Sequence, residues 1–386
     1  YGHPVVKTPH IDSIAARGIA FDKFFVASPV CMPNRASLMT GRMPSVHGAR
    51  SNGMPLPLQS NTFVDALRAA GYATALVGKW HLGFPPHFGP LGSGYQEFFG
   101  PMSGGVDYFT HRDSAGVHDL YEGDKEVHRS GYLTDLLTDR AVDFVKRAGK
   151  KPFLLSLHYT APHWPWEARA DAEESGRIAG AISHFDGGSL ATYVEMIRAM
   201  DEGIGRLMAE LDDSTIVVFT SDNGGERFSD SWPLVGGKMD LMEGGIRVPY
   251  VVRWPKRRVI PQLAITMDWV ATFLDAADVA PHPDYPLDGV SLLRPNPGRE
   301  LFWRMKFRSQ KAMRSGSSKW LSIEGNEFLF DLARDPRERA NLARRQPATH
   351  EELRKRYADW EGSLPPIPDE AKVSLIGGPA DLARPS

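Results

Sequence analysis

Residues 28–42 read Ser-Pro-Val-Cys-Met-Pro-Asn-Arg-Ala-Ser-Leu-Met-Thr-Gly-Arg, and Cys31 within them is the only cysteine of the chain. A proline two residues after Cys31 suits the first turn of a helix, and Gly41 suits a helix end, so the pattern predicts a helix over residues 33–39. A helix N-terminus lowers a thiol pKa and attracts anions. Arg35, one turn along, reaches the same end. We therefore expect an anion site at Cys31 rather than a buried, inert cysteine.

Composition limits the remaining possibilities. The chain has 386 residues, of which 42% are hydrophobic and 24% charged, enough for one large domain and a smaller one. A net charge of −2 favours neither nucleic acid nor an anionic membrane as partner. A single cysteine excludes internal disulfides and a thiolate zinc cluster. No apolar run approaches the roughly 20 residues of a membrane span.

Helix and strand patterns alternate along the first three quarters of the chain. Helices are predicted over residues 11–18, 63–70, 132–147, 191–211 and 268–277, and strands over 19–26, 72–77, 153–159, 215–220 and 248–254. Residues 84–105, rich in Gly, Pro and aromatics, are predicted as a long loop. The order favours an α/β fold with a mainly parallel sheet between two helical layers.

The pattern changes after about residue 288. Short strands are predicted over residues 301–306, 319–323 and 327–331, followed by a charged helix over 349–360 and an extended tail from Leu364. This order is typical of a small antiparallel subdomain. We therefore expect two domains, over residues 1–290 and 291–386.

Two predicted strands end in groups that suit an anion and a cation. Lys79 and His81 follow the strand over 72–77. Because they are two residues apart in extended backbone, their side chains point to the same face and can bind one ligand. Asp222 and Asn223 follow the strand over 215–220, at the edge where open sheets bind ligands. Their oxygens suit Ca²⁺ or Mg²⁺. The alternatives are a solvated strand end and an ordinary Asp-Asn-Gly turn.

Two further motifs carry candidate residues. Lys238 lies among glycines in residues 236–249, where the backbone can approach a ligand closely. The alternative is that this glycine-rich segment is a surface loop. His163 lies in Ala-Pro-His-Trp-Pro-Trp over 161–166, where it is either a proton donor or a histidine packed between Trp164 and Trp166.

Together these motifs resemble the formylglycine-dependent sulfatase family, with the alkaline phosphatase-like α/β/α sandwich that this family implies. The run around Cys31 resembles the site where that family oxidises a cysteine to formylglycine. The resemblance extends towards the C-terminus through Glu327 to Leu332 and Asp335-Pro336. It implies that the chain is an enzyme cleaving a sulfate ester.

The resemblance also assigns roles. It implies that Lys79 and Lys238 bind the sulfate, that His163 assists the leaving alcohol, and that His81 contacts the formylglycine hydrate and takes its proton. Arg35 would steady the nucleophile and the metal ligands. Asp222 and Asn223, with the modified Cys31, would bind a divalent cation, Ca²⁺ in preference to Mg²⁺.

One part of the family pattern has no counterpart here. The family's calcium site uses an adjacent Asp–Asp pair on the first strand of the sheet, and Asp12 and Asp22 fall after that position. We expect the pair to lie on a strand preceding Tyr1, so that the chain as given lacks a central strand. The same resemblance implies a periplasmic or secreted protein.

Two alternatives to a sulfatase stay open. Phosphonate monoester or phosphodiester hydrolases also use formylglycine, but such relatives tend to show a histidine where this chain has Asn223. A non-catalytic relative would bind sulfated glycan without cutting it. The expected partners are a small-molecule or glycan sulfate ester and a formylglycine-generating maturation enzyme.

Overall fold

A computed structural model describes residue 3 and residues 5–57, 61–254 and 262–371. Its helices are α1 Pro9–Ala16, α2 Cys31–Thr40, α3 Pro44–His47, α4 Phe63–Ala69, α5 Leu133–Ala148, α6 Ala172–Ile178, α7 Leu190–Met208, α8 Glu243–Ile246, α9 Asp268–Ala277 and α10 Pro347–Gly362. Its strands are β1 Ile19–Ala20, β2 Phe24–Phe25, β3 Ala73–Gly78, β4 Glu97–Gly100, β5 Tyr121–Glu122, β6 Lys125–Glu126, β7 Phe153–His158, β8 Val217–Thr220, β9 Tyr250–Arg253, β10 Ala264–Ile265, β11 Glu300–Met305, β12 Gln310–Ser315, β13 Ser318–Ile323 and β14 Asn326–Asp331. Two short 3₁₀ turns lie at Pro90–Ser93 and Phe307–Ser309.

The longest central strands are parallel, as predicted. β3 pairs in parallel with β4 on one side and with β7 on the other, and β5 and β6 extend this sheet antiparallel. A second group pairs β8 with β9 and β9 with β1, all antiparallel. β11 to β14 form a separate antiparallel sheet, again as predicted. The carboxyl ends of β3 and β7 therefore lie at one edge, where Gly78 pairs with His158.

Helix α5 packs against α7 through one apolar face. Its apolar residues Leu133, Leu137, Ala141 and Phe144 recur at helical spacing and are all buried. Leu133, Leu137 and Ala141 belong to the same apolar cluster as Met196 and Ile204 of α7. The acidic Asp201 of α7 accepts hydrogen bonds from the backbone N–H groups of His10 and Ile11, and so caps α1.

Three sequence predictions need correction. The single strand predicted over residues 19–26 is divided into β1 and β2, which pair with different strands on either side of a bend. The loop predicted over 84–105 contains β4, because Glu97–Gly100 pairs with β3. The short strand β12 was not predicted. The extended tail predicted from Leu364 lies largely outside the described residues.

A deep cleft of about 1610 Å³ lies between β7 and β8. Within the described residues, β7 pairs only with β3 and β8 only with β9, so each has a free edge. Both strands line the cleft along their length with side chains that are only half-buried. At its carboxyl-end mouth the cleft reaches Asp222 and Asn223. A further extended segment in this cleft would find hydrogen-bonding edges on both sides.

Buried charges connect the C-terminal sheet to α8. Lys319 of β13 lies 3.2 Å from Oε1 of Glu243 and 2.7 Å from Oε1 of Glu338, and Arg314 of β12 lies 2.9 Å from Oε2 of Glu243. All four side chains are almost fully buried. Because α8 directly follows the segment that holds Lys238, the network fixes that segment against the antiparallel sheet.

Replacing Lys319 by methionine is expected to destabilise the fold by about 3–5 kcal/mol, because it removes the ion-pair partner of the buried Glu338 and one of the cations that hold the buried Glu243. Urea unfolding monitored by circular dichroism measures the loss. Lys311→Met on the neighbouring strand is the matched control. Its ion pair with Glu361 is partly exposed, so it should cost about 1 kcal/mol or less. Equal losses in the two variants would contradict a special contribution from the buried network.

Candidate active site

Cys31 is the first residue of α2 and is buried. The helix begins two residues earlier than predicted, so Cys31 lies at its N-terminus, where the helix dipole favours an anion. Its Sγ lies 3.1 Å from Oδ1 of Asn223, which follows β8. Gly41 ends the helix with φ of 67°, a conformation that glycine adopts without strain.

Arg35 links the helix to two strand ends. Its Nε donates to the carbonyl of Trp80 at 3.0 Å, and Nη2 donates to the carbonyl of Lys79. Nη1 lies 3.4 Å from Oδ2 of Asp222. The guanidinium is buried, so its planar set of donors holds the residues after β3 and after β8 in fixed positions.

Lys79 and His81 leave the end of β3 and are both buried. Gly78, at φ of 110°, permits this exit, because a Cβ there would lie 2.0 Å from the carbonyl oxygen of His158. The backbone N–H of His81 donates to Met102 at 2.9 Å, while its Nδ1 is buried without a hydrogen-bond partner. An unpartnered buried imidazole nitrogen suits a group that accepts a proton from a ligand.

His163, Lys238 and Glu226 form a chain on the other side. Nζ of Lys238 lies 3.2 Å from Nε2 of His163 and 3.0 Å from Oε2 of Glu226. The other ring nitrogen of His163, Nδ1, lies 2.8 Å from the carbonyl of Trp164. The backbone N–H of Lys238 donates to Gly225, which anchors the glycine-rich segment beside the residues after β8.

The charges of these groups are coupled because the groups are largely shielded from solvent. Burial lowers the pKa of Lys79, and the nearby Cys31 and Asp222 oppose that shift. For Lys238 burial also disfavours the charge, but Cys31 and Glu226 outweigh it and raise the pKa. For Asp222 burial disfavours ionisation, while Lys79 and Arg35 outweigh it and lower the pKa. The ionised form is therefore favoured at Lys238 and Asp222 and disfavoured at Lys79.

The imidazoles at the site are neutral. Burial, followed by the charges of nearby lysines, lowers the pKa of His81 and of His163 well below the usual range. A neutral imidazole carries one N–H, so if Nδ1 of His163 donates to Trp164, its Nε2 accepts from Lys238. Lys238 then donates a hydrogen bond to Nε2 of His163.

The side-chain oxygens of Asp222 and Asn223 are of the kind that binds a hard cation, but they are too few to complete its coordination. A carboxylate and an amide oxygen are ligands that Ca²⁺ prefers; Oδ1 of Asn223 contacts Cys31, and Asp222 is paired with Arg35 of the same helix. Ca²⁺ takes about six to eight oxygens, whereas the described residues bring one carboxylate to this point. The cleft between β7 and β8 opens here, so further ligands have a route to the cation position.

Two residues at the site were missed by the sequence analysis. His158, which was not among the candidate residues, lies at the end of β7 with Nδ1 2.6 Å from Nη2 of Arg35. Burial, then the charge of Arg35, lowers the pKa of His158 to about 3. Glu226 pairs with Lys238, and its only sequence signal is its position directly after the Gly224-Gly225 pair.

Buried neutral histidines make stability depend on pH. Burial lowers the pKa of His47, which lies outside the site, to about 3, against about 6.5 in an unfolded chain. As pH falls below about 6.5, the unfolded chain binds this proton and the folded chain does not. The free energy of unfolding should therefore drop by about 1.4 kcal/mol per pH unit for this group.

Unfolding of a His47→Gln variant at pH values from 7 to 4 tests this contribution. We expect the free energy of unfolding of this variant to fall less steeply with decreasing pH than that of the wild type. The difference in slope should correspond to about one bound proton. His87→Gln at an exposed position is the control and should leave the slope unchanged. An unchanged slope in His47→Gln would show that His47 does not titrate as its burial implies.

The architecture is the alkaline phosphatase-like α/β fold, as solved structures indicate. The crystal structure of Ps i-CgsB in complex with k-i-k-neocarrahexaose has a TM-score of 0.83 and 29% identity, covering 94% of this chain and 89% of that one. The phosphonate monoester hydrolase of Agrobacterium radiobacter has a TM-score of 0.64 at 20% identity over 94% and 92% of the two chains, a likeness of fold alone.

The chain belongs to the sulfatase family, whose profile matches residues 1–279. N-acetylgalactosamine-6-sulfatase of Canis lupus familiaris is 34% identical over 334 residues, covering 76% of this chain. The chain spans 62% of the length of that relative. Among the described residues, no helix is both long and apolar enough to cross a bilayer.

Proposed function

We propose that this protein is a sulfuric ester hydrolase that cleaves a sulfate monoester through a formylglycine made from Cys31. The observation that carries the proposal is the placement of the thiol at the first residue of α2, where it is electrostatically coupled to Lys79 and Lys238. A helix N-terminus and two cations form a site for an oxyanion. We also propose that the catalytic domain ends near residue 290.

The modified side chain would supply the attacking oxygen and, once sulfated, expel sulfate to regain its aldehyde. Lys79 and Lys238 bind the sulfate oxygens and offset the charge that builds up as the ester bond breaks. The proton of the hydrogen bond between Lys238 and His163 goes to the departing alcohol oxygen. His81, neutral and with a free Nδ1, takes the proton of the remaining hydroxyl.

A divalent cation is the second group that the proposal requires. Asp222 and Asn223, with the modified residue 31, would hold Ca²⁺, or less favourably Mg²⁺, and the cation would polarise the sulfate oxygens. Arg35 holds Asp222 and the backbone of Lys79 in place and so positions both the cation ligands and the anion ligands.

The substrate is proposed as a class. The relatives include an enzyme named for N-acetylgalactosamine 6-sulfate and a structure with a bound neocarrahexaose. We propose a sulfated glycan or a small-molecule sulfate ester as substrate, a formylglycine-generating enzyme as maturation partner, and a periplasmic or secreted location.

The mass of the peptide containing Cys31, from protein coexpressed with a formylglycine-generating enzyme, tests the proposal first. The aldehyde mass supports it. An unmodified cysteine in a competent host would favour the alternative of a non-catalytic, glycan-binding relative. Rates on an aryl sulfate and a phenyl phosphonate then separate the two enzyme classes, and faster turnover of the phosphonate would overturn the assignment to sulfate esters.

A further inference from the structure

We propose that Glu167 is an uncharged carboxylic acid that shares its proton with the Asp107 carboxylate, and that this pair positions the loop carrying His163. Both carboxyl residues are fully buried, at 0% exposure. The protonation of the pair is independent of the proposed function, whereas its positioning role rests on the part proposed for His163.

Asp107 is surrounded by hydrogen-bond donors. Its Oδ1 accepts from the backbone N–H groups of Phe109 at 2.9 Å and Thr110 at 2.7 Å. The hydroxyl of Ser175, on α6, lies 2.8 Å from both carboxylate oxygens. Several donors directed at one carboxylate stabilise its charged form. Asp107 is therefore the member of the pair that is equipped to carry the negative charge.

Glu167 lacks a comparable set of donors. Its Oε2 accepts from the backbone N–H of Tyr108 at 2.9 Å, but its Oε1 is buried and has no N–H or O–H donor among the described residues. The carboxyl group of Glu167 contacts that of Asp107. A proton on Glu167 makes it a donor with the Asp107 carboxylate as acceptor, a short and strong type of hydrogen bond. Protonation thus accounts for a buried oxygen that is otherwise unpaired.

Positive charge does not compensate the pair. In the described part of the chain neither carboxyl group forms an ion pair, since the nearby Arg169 and Arg177 bind Asp135 and Glu174. Burial lowers the pKa of His111, which faces Asp107, to about 4, so this imidazole is neutral. The other ionisable groups that interact with the pair are Tyr108, Tyr132 and Glu174. Burial raises the pKa of both tyrosines, so they are neutral as well.

Two carboxylates in contact inside the protein repel each other unless one of them holds a proton. Burial, followed by the negative charge of Asp107, raises the pKa of Glu167 to about 9, against 4.5 for an ordinary glutamate. The folded chain therefore keeps this proton at neutral pH and releases it in the alkaline range. Ionisation of Glu167 would place two uncompensated charges between the segments that the pair joins.

These segments are the ones that hold His163. The hydroxyl of Tyr108, the residue after Asp107, donates to the backbone carbonyl of His163 at 3.0 Å. Gly105, on the same segment, lies so close to the His163 ring that a Cβ there would be 3.0 Å from it. Glu167 follows His163 by four residues and joins its loop to that segment through the backbone of Tyr108. The shared proton therefore fixes the loop against the segment on which the His163 ring packs.

Urea unfolding of Glu167→Gln, which keeps the shape of the protonated acid, tests the proton. The wild type releases this proton on unfolding above about pH 4.5, because its pKa is raised only in the folded state. We expect the ratio of the wild-type to the variant unfolding equilibrium constant to rise about tenfold per pH unit between about pH 6 and 8. Glu173→Gln, exposed on α6, is the control and should leave the pH dependence unchanged. The same pH dependence in Glu167→Gln as in the wild type would overturn the shared proton.

Infrared spectroscopy at pH 8 gives a second measurement that also reports on the wild type alone. We expect a C=O stretching band from a protonated carboxyl group in the wild type and in Glu173→Gln, and its loss in Glu167→Gln. Asp119, whose pKa burial raises to about 7, is mostly ionised at this pH. The absence of such a band from the wild type, or its full retention in Glu167→Gln, would contradict the proposal.

The pH dependence of hydrolysis tests the positioning role. With matured protein and an aryl sulfate, we expect kcat/KM of the wild type to fall as pH rises through about 9, by up to tenfold per pH unit. Scaled to its own rate at pH 7, Glu167→Gln should lack this fall. Identical alkaline limbs in the two proteins would overturn the positioning role. Absence of hydrolysis from both would refute the proposed function, whereas the unfolding and infrared measurements decide the shared proton separately.

Discussion

Replacing Cys31 by alanine is expected to abolish sulfate ester hydrolysis while leaving the fold intact. Without the thiol there is no formylglycine and no attacking oxygen, and loss of a covalent nucleophile costs on the order of 10⁴-fold or more in turnover. The change removes one buried atom whose described polar contact is with Asn223, so unfolding should be little affected. An aryl sulfate assay and circular dichroism measure the two effects.

The assay uses protein that has been matured by a formylglycine-generating enzyme. Met39→Leu, a volume-conserving change buried on the same helix, is the control and should retain activity. Turnover retained in Cys31→Ala would remove the formylglycine mechanism.

The grouping of the candidate residues could be predicted because it follows from strand topology. Lys79 directly follows the apolar strand β3 and Asp222 lies two residues after β8, and parallel strands of an α/β sheet are expected to present their carboxyl ends to one edge. Cys31 could be added because a proline and a glycine mark the two ends of its helix. These are local signals, and each is readable within about ten residues.

The contacts between distant segments could not be predicted. Glu226 and Lys238 meet because the backbone of Lys238 bonds to Gly225, and no periodicity encodes that docking. His158 was missed because its neighbour, Arg35, is 123 residues away in the sequence. The division of residues 19–26 into β1 and β2 is likewise set by their different partners, β9 and β10. Sequence patterns predict which helices and strands form, whereas pairing with distant strands decides where each strand ends.

Replacing Lys238 by methionine is expected to lower kcat/KM for a sulfate ester by about 10²–10³-fold. The change removes a cation from the sulfate position and also the hydrogen-bond donor to His163. It leaves Glu226 as a carboxylate facing an anionic substrate. Steady-state rates on an aryl sulfate, with protein matured by a formylglycine-generating enzyme, measure the loss.

A double-mutant cycle with Glu226 separates these effects. Glu226→Gln alone should cost about 10-fold, because the Lys238 charge loses the carboxylate that helps to raise its pKa. In the Lys238→Met background the same change should instead restore activity, since it removes a negative charge that no longer has a partner. The effect of Glu226→Gln thus reverses sign with the presence of Lys238. Additive losses would mean that Glu226 acts independently of the lysine, and the chain from Glu226 through Lys238 to His163 would not be a functional unit.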